Sequence, residues 1–171
     1  MNNLNYGIIG NCQSAALISD KGSIDWCCLP RFDSPSIFAK ILDKNIGGSF
    51  EILVDEDYKI TQSYINQTNI LVTKFTKRSH SFEIVDFMPR YYNENGDRYS
   101  PPDIIRYIRY LSGKPSLRIK YNPQLEYAFY HTENKIFKSY IKSFTTKGSY
   151  DSIYLYTDLE KGKIQSGDEC Q

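Results

Sequence analysis

The sequence predicts an all-β fold, an antiparallel β-sandwich, from three observations. Short apolar segments recur along the chain, and Leu117, Ile119 and Tyr121, for example, alternate with basic side chains. A period of two is typical of a strand with one buried face. Turn sequences separate the segments, and the aromatic content is high, with 15 tyrosines and 9 phenylalanines. Many short strands at this spacing favour an antiparallel sandwich or barrel.

The predicted strands follow one another at short intervals along the chain. Clusters that contain glycine separate them, as at Gly47-Gly48, Asn95-Gly96 and Lys147-Gly148, and such clusters are typical of turns. Residues 91–103 are polar and are predicted to form a long loop that is either functional or mobile. The strands are predicted at residues 6–10, 15–19, 24–28, 49–54, 58–65, 70–77, 81–88, 104–111, 117–121, 136–144 and 152–157.

One short helix is predicted near residues 35–43. Ser34 is a favoured N-cap residue, and Pro35 suits the first helical position. An apolar stripe follows, and Gly47 would end the element. The stripe consists of Ile37, Phe38, Ile41 and Leu42.

Size, charge and hydropathy exclude several function classes. The chain has 171 residues, which suits a single domain. Its 21 basic and 20 acidic residues give a net charge of +1, so no nucleic-acid partner is expected. No apolar run reaches the ~20 residues of a transmembrane helix, and the N-terminus lacks the basic and apolar regions of a secretory signal. We therefore expect a cytoplasmic protein with no membrane partner.

No metal site or cofactor is expected. The adjacent Cys27 and Cys28 would point to opposite faces of a strand, and only His80 and His131 supply imidazole ligands. The thiols are therefore expected to be small, reduced, buried hydrophobes rather than zinc ligands. The chain also lacks a phosphate-binding loop and the G-x-S-x-G turn of serine hydrolases.

The segment Gly22–Pro35 is the most informative part of the chain. It places the only tryptophan, Trp26, close to Arg31, two aspartates and two prolines, directly after a turn. Residues that stack, carry charge and restrict the backbone rarely occur at this density in a segment that only connects strands.

This segment resembles the opening of the N-terminal domain in bacterial and archaeal glycoside hydrolase family 15, which has glucoamylase, glucodextranase and trehalase types. The resemblance continues along nearly the whole chain, for example at Ile84–Pro89 and Tyr121–Tyr127. Two positions depart from the family's pattern, since Cys12 replaces a glycine and Cys27 replaces another apolar residue. The matching residues of the opening are Gly10-Asn11, Ala15-Ala16-Leu17-Ile18, Gly22-Ser23-Ile24-Asp25-Trp26, Cys28, Pro30-Arg31-Phe32-Asp33-Ser34-Pro35-Ser36 and Phe38.

The resemblance implies a super-sandwich domain over residues 1–160 and a polar tail over residues 161–171. Family 15 enzymes carry their two catalytic glutamates on a downstream helical barrel, and inverting glycosidases hold such a pair ~6.5–9.5 Å apart. No catalytic residue is therefore assigned in this chain, which is expected to be inactive alone. A sandwich without its last strands is expected to leave sheet edges unpaired.

The implied function is a non-catalytic module that supports and docks against an (α/α) barrel, in cis or on a separate chain. The implied substrate of the whole enzyme is an α-glucan or trehalose, and the sequence does not decide between them. Two other interpretations stay open. The chain is a stand-alone carbohydrate-binding module whose tyrosines stack on sugar rings, or it is an inactive product of a truncated gene.

Four residues are candidates for an interdomain surface or a substrate rim: Trp26, Arg31, Phe32 and Asp33. In one interpretation they lie on a rigid loop that projects from the sandwich and contacts the barrel or a sugar. In the other, Trp26 and Phe32 belong to the core, and Arg31 and Asp33 lock the loop internally. The carboxylates of Asp25 and Asp33 are expected to cap turns or to pair with Arg31, not to form a catalytic pair.

Overall fold

The computed structural model describes residues 4–149 and 151–165. Over these residues the chain forms sixteen β-strands and two single-turn 3-10 helices, Glu126–Ala128 and Lys161–Lys163, and no α-helix. The strands are β1 Tyr6–Gly10, β2 Ala15–Ser19, β3 Ile24–Cys28, β4 Ser36–Phe38, β5 Ser49–Leu53, β6 Lys59–Tyr64, β7 Leu71–Lys77, β8 His80–Phe87, β9 Tyr91–Tyr92, β10 Arg98–Tyr99, β11 Ile105–Ser112, β12 Arg118–Asn122, β13 Thr132–Ile136, β14 Tyr140–Thr145, β15 Ser152–Tyr156 and β16 Ile164–Gln165.

The strands form an antiparallel β-sandwich, so the predicted fold class is confirmed. One layer is a seven-stranded sheet in the order β1-β2-β3-β5-β12-β16, with β4 paired to β3. The other layer contains a four-stranded sheet, β11-β8-β7-β6, and a three-stranded sheet, β13-β14-β15. Within the described residues only β12 and β16 pair in parallel. Most connections are short, as expected for consecutive antiparallel strands.

Two groups of buried apolar side chains hold the layers together. In one group, Phe75 and Phe82 of the four-stranded sheet stack with their ring centroids 4.5 Å apart, beside Ile52 of the seven-stranded sheet. The other group joins Leu71 and Ile141, which come from the two sheets of the second layer, to the inner face of the seven-stranded sheet. Full burial of such a side chain stabilises a fold by about 1.5–3 kcal/mol.

A buried ion pair also connects the layers. Arg106 of β11 donates from Nε to Oδ1 of Asp86 on β8 at 2.8 Å, and from Nη2 to Oδ2 at 3.2 Å. Its Nη1 and Nη2 groups also donate to the carbonyls of Phe50 and Gly22, respectively, in the opposite layer. Asp86 is 0% exposed. Burial raises the pKa of the Asp86 carboxyl, and the charge of Arg106 opposes that rise.

Most predicted strands are confirmed. The segments 6–10, 15–19 and 24–28 form β1, β2 and β3 with the predicted bounds, and most of the later strands begin or end within one or two residues of their prediction. The predictions from the period of two were correct because each of these strands buries one or both of its faces.

The helix predicted near residues 35–43 is wrong. Ser36–Phe38 is instead the strand β4, which pairs with β3 and buries all three of its residues. Leu42 is 73% exposed, so the predicted apolar stripe does not exist. The carboxylate of Asp43 accepts the backbone N–H groups of Asn45 and Ile46, which favours consecutive turns over a helix. Pairing with β3 outweighs the local helix signals.

The single strand predicted at residues 136–144 is also wrong, because this region is a hairpin. β13 ends at Ile136, β14 begins at Tyr140, and Phe137 N–H donates to the carbonyl of Tyr140 at 2.8 Å. The turn contains neither glycine nor proline, so the sequence carries no turn signal. The stacked rings of Phe137 and Tyr140, 4.9 Å apart, flank it.

Two further segments contain more structure than was predicted. The loop at residues 91–103 holds the short hairpin β9–β10, whose turn includes Gly96 with φ at +82°. Within the predicted tail 161–171, β16 pairs with β12, whereas residues 166–171 lie outside the described residues. The domain boundary at residue 160 stays a prediction.

The cysteines differ in exposure. Cys27 and Cys28 are buried as predicted, and burial raises the pKa of Cys27 to about 12. Cys12 is exposed, so the prediction of a buried thiol is wrong there. Cys170 lies outside the described residues. In the part of the chain that the structure describes, no helix is long and apolar enough to cross a membrane.

We expect Arg106→Met to lower the free energy of unfolding by about 3–5 kcal/mol, because it leaves the Asp86 carboxylate buried without its partner. Urea unfolding at pH 7 measures this loss. Arg31→Met is the matched control, since it removes an exposed ion pair with Asp33 that contributes little to stability. Equal urea midpoints for the two variants would contradict the view that the buried ion pair between Arg106 and Asp86 stabilises the fold.

Candidate functional site

Trp26 lies on the outer face of the seven-stranded sheet. The strand register places it beside Leu17 of β2, which itself lies beside Ile8 of β1. The next residue, Cys27, belongs to the core, so the alternation of side chains along β3 turns Trp26 away from the core. Ile8 is 54% exposed, and Leu17 and Trp26 are half-buried. We call Ile8, Leu17 and Trp26 the outer apolar row.

The loop after β3 presents the other three candidate residues. Arg31 Nε donates to Asp33 Oδ1 at 3.0 Å, and both side chains are exposed. Arg31 N–H donates to Ser34 Oγ at 3.1 Å, and Phe32 N–H donates to the carbonyl of Gln13 at 2.9 Å. The ring of Phe32 is 60% exposed. The loop is therefore held by polar contacts within itself and to the turn after β1, with an aromatic ring at the surface.

The four candidates do not form one constellation. Arg31, Phe32 and Asp33 line a small surface depression together with Cys12 and Gln13, and Trp26 does not line it. The ion pair inside the loop agrees with the interpretation that Arg31 and Asp33 lock it, but the exposed Phe32 does not belong to the core. Whether these residues contact a barrel or a sugar stays a prediction.

Asp25 has structural partners of its own. It is buried and accepts hydrogen bonds from Tyr6 Oη at 3.0 Å and from Ser23 Oγ. Burial, together with the charge and hydrogen bond of Asp25, raises the pKa of Tyr6 to about 12. Asp33, on the exposed loop, pairs with Arg31. Since each carboxylate has its own partners, nothing pairs Asp25 with Asp33 for acid–base work.

The turn between β1 and β2 contains an interaction that the sequence reasoning missed. Asn11 is buried, its Oδ1 accepts the N–H groups of Gln13 and Ser14, and its Nδ2 donates to the carbonyl of Pro101 at 2.8 Å. Cys12 has φ at +72°, a conformation that glycine adopts without strain. The Gly-Asn pair of the opening motif was the signal for this turn, which fastens the first hairpin to the loop before β11.

The surroundings of the acidic side chains bear on which chemistry the site can perform. Within residues 4–149 and 151–165, no three His, Cys, Asp or Glu side chains lie close enough to hold a metal ion. The fully buried acidic side chains, and the half-buried Glu51, have partners within the sandwich. These pairs are Asp25–Tyr6, Glu51–Lys40, Glu83–Arg109 and Asp86–Arg106.

Comparison with known proteins identifies relatives for nearly the whole chain. The family described as "Trehalase-like, N-terminal" matches residues 5–159. The trehalase of Thermoplasma volcanium is 38% identical over 125 residues, which are 71% of this chain and 20% of that protein. The trehalase of Thermoplasma acidophilum is 33% identical over 150 residues, which are 86% of this chain and 25% of that protein. No solved structure gives a significant match.

The chain covers only a small part of these relatives. It spans 20% and 25% of the two Thermoplasma trehalases. It also matches 14% of trehalase 1 of Sulfolobus acidocaldarius, with 49% identity over 84 residues that make up 48% of this chain. The similarity therefore concerns one module of longer proteins.

We expect Phe32→Ala to change the free energy of unfolding by less than ~0.5 kcal/mol, because its ring packs outside the core. Phe38→Ala is the matched control, and it should cost ~3–5 kcal/mol because Phe38 is buried in β4. Urea unfolding of both variants measures the difference. A cost above ~1 kcal/mol for Phe32→Ala would restore the interpretation that Phe32 is a core residue.

Proposed function

Since the chain belongs to the trehalase-like N-terminal domain family, we propose that it is the non-catalytic N-terminal module of a trehalase-type α-glucoside hydrolase of glycoside hydrolase family 15. The sandwich supports and docks against a catalytic (α/α) barrel, in cis or on a separate chain. The family match over residues 5–159, together with similarity to only 20–25% of the length of the Thermoplasma trehalases, carries this proposal. Trehalose is the proposed substrate of the whole enzyme.

The partners of the acidic side chains support a non-catalytic role. A glycosidase needs one carboxyl group that protonates the leaving oxygen and a second that acts on the opposite side of the sugar ring. In the sandwich, Asp86 is neutralised by Arg106, and Asp25 accepts hydrogen bonds from Tyr6 and Ser23. Such carboxylates stabilise the fold and are poorly placed to reach a substrate.

The outer apolar row and Phe32 are proposed as contacts for the barrel. Interfaces are enriched in aromatic side chains and arginine, and their buried centres are depleted in charge. Trp26, Leu17 and Ile8 supply a continuous apolar strip across three strands, and Phe32 adds an exposed ring on the neighbouring loop. A cytoplasmic location is also proposed, since free and buried Cys27 and Cys28 suit a reducing compartment.

We expect the chain alone to release no glucose from trehalose, because the acid and the base of the reaction belong to the barrel. A chimaera in which this chain replaces the matched segment of the Thermoplasma volcanium trehalase should release glucose. The same trehalase with that segment deleted is the control and should be inactive or unstable. Glucose release by the 171-residue chain alone would overturn the non-catalytic assignment.

One observation favours a second function, a stand-alone carbohydrate-binding module. The hairpin β9–β10 exposes Tyr91, Tyr92 and Tyr99, with the rings of Tyr91 and Tyr99 edge to face at 5.4 Å. The guanidinium of Arg98 lies 5.9 Å from the centroid of the Tyr92 ring. Exposed tyrosines can stack on sugar rings and donate hydrogen bonds at the same time.

Titration calorimetry with trehalose and maltooligosaccharides separates the two functions. Under the leading proposal we expect no saturable heat, which means that neither sugar binds with a Kd below ~1 mM. That Kd corresponds to a binding free energy of about −4 kcal/mol. Saturable heat that Tyr92→Ala removes would support the carbohydrate-binding function. Tyr127→Ala is the matched control, because Tyr127 is similarly exposed but lies outside the hairpin.

A further inference from the structure

A cavity of about 800 Å³ interrupts the second layer of the sandwich. Its floor includes Ile24, Phe50 and Tyr121 of the seven-stranded sheet. Two segments of the second layer form its sides, Pro102–Arg106 at the start of β11 and Asp151–Tyr156 along β15. The cavity therefore lies over the seven-stranded sheet, between the four-stranded and the three-stranded sheets.

The cavity borders two open strand edges, the start of β11 at Ile105 and Arg106 and the whole length of β15. β11 is an edge strand of the four-stranded sheet, and β15 is an edge strand of the three-stranded sheet. Neither β8, the partner of β11, nor β14, the partner of β15, contributes a lining residue. In the described part of the chain, the sides of β11 and β15 that face the cavity thus have no neighbouring strand.

Hydrogen bonding shows which backbone groups face this opening. Thr145 N–H donates to the carbonyl of Asp151 at 3.3 Å, so these two residues form a hydrogen-bonded pair of the β14–β15 ladder. Such pairs alternate along antiparallel strands. Ser152, Tyr154 and Tyr156 therefore direct their N–H and C=O groups away from β14, towards the cavity. An unpaired row of this kind is a template for another strand.

The side chains around the opening are those of an unfinished core. Ile153 and Leu155 of β15 and Ile104 before β11 pack against the buried apolar group but remain half-buried. Ser36 also lines the cavity, and its buried Oγ has no hydrogen-bond partner. An occupant should therefore cover apolar side chains and supply a hydrogen-bonding group to Ser36.

We propose that a β-strand of the trehalase polypeptide, from outside residues 4–165, inserts between β11 and β15 and joins the two sheets into one continuous layer. This inference rests on the proposed function and places one of its contacts. The relatives offer room for such a segment. The match covers 20% and 25% of the two Thermoplasma trehalases, so about 75–80% of their length lies outside it. The inserted strand alternates apolar side chains, which enter the cavity, with polar ones.

A strand suits the cavity better than a sugar. The backbone of β15 offers alternating donors and acceptors along one edge, the arrangement by which β-strand addition works. The lining is dominated by aliphatic and aromatic side chains, and a sugar buried there would leave several hydroxyl groups without partners. The insertion would pair the open edges of both sheets at once.

Hydrogen exchange tests the insertion. We compare this chain alone with the chimaera in which it replaces the matched segment of the Thermoplasma volcanium trehalase. Amides of residues 151–157 should exchange about tenfold or more slowly in the chimaera, because pairing and burial protect edge groups from exchange. A mixture of this chain with the trehalase that lacks the matched segment should show the same protection if the contact forms between separate chains.

Two proline variants make the test specific to the edge. Tyr154→Pro removes an N–H that faces the cavity while sparing the ladder to β14, so it should abolish the protection and lower the Tm of the chimaera. Ile136→Pro is the matched control on the opposite edge of the same sheet. Phe137 N–H bonds to the carbonyl of Tyr140, so Ile136 N–H points away from β14. Ser152→Pro replaces Tyr154→Pro if that variant unfolds the chain alone.

Each other outcome identifies a different error. A folded, active chimaera in which residues 151–157 exchange as fast as in the isolated chain overturns the insertion and leaves the proposed function intact. Protection by trehalose alone assigns the cavity to a sugar, and protection that rises with dimer formation of the isolated chain assigns it to a second copy. A chimaera that neither folds nor releases glucose, with no complex in the mixture, counts against the proposed function itself.

Discussion

The ion pair between Arg106 and Asp86 is the contact on which the arrangement of the two layers depends. Two carboxylate oxygens and two backbone carbonyls surround the guanidinium, and the ring of Phe50 lies 4.8 Å from it. Because one of these carbonyls belongs to Gly22 and the other to Phe50, the pair fixes the position of the four-stranded sheet over the seven-stranded one. A buried guanidinium that donates four hydrogen bonds tolerates little displacement.

The segment that identifies the family has a structural role at this junction. Gly22 supplies a carbonyl to Arg106, Ser23 and Tyr6 hold the Asp25 carboxylate, and Trp26 contributes to the outer apolar row. The segment Gly22–Trp26 needs these residue types because it combines a tight turn at Gly22, a buried carboxylate at Asp25 and an outward-facing ring at Trp26 within five positions. This part of the motif thus specifies how the sandwich is built.

The strands were predictable from the sequence, whereas most of the contacts between them were not. Alternation of side chains at β1, β2 and β3 is a local property, so it can be recognised without knowledge of the partner strand. The strand Ser36–Phe38 was misread because its conformation is decided by β3, and the turn after Ile136 because no glycine or proline marks it. Of the candidate site, the exposure of the loop at Arg31–Asp33 was left open between two interpretations, and the roles of Asn11 and Arg106 depend on distant carbonyls.

Unpaired sheet edges were expected for a sandwich without its last strands, but the position of the cavity could not have been predicted, for a related reason. Its two open edges, β11 and β15, belong to different sheets and carry no unusual residue; Ile153 and Leu155 look like the inner face of any strand. What sets these edges apart is that their backbone groups lack a neighbour, and backbone groups are the same at every position of a sequence. A module that docks through a strand edge therefore leaves its contact surface unmarked in its sequence. Side-chain motifs mark only the part of an interface that side chains form.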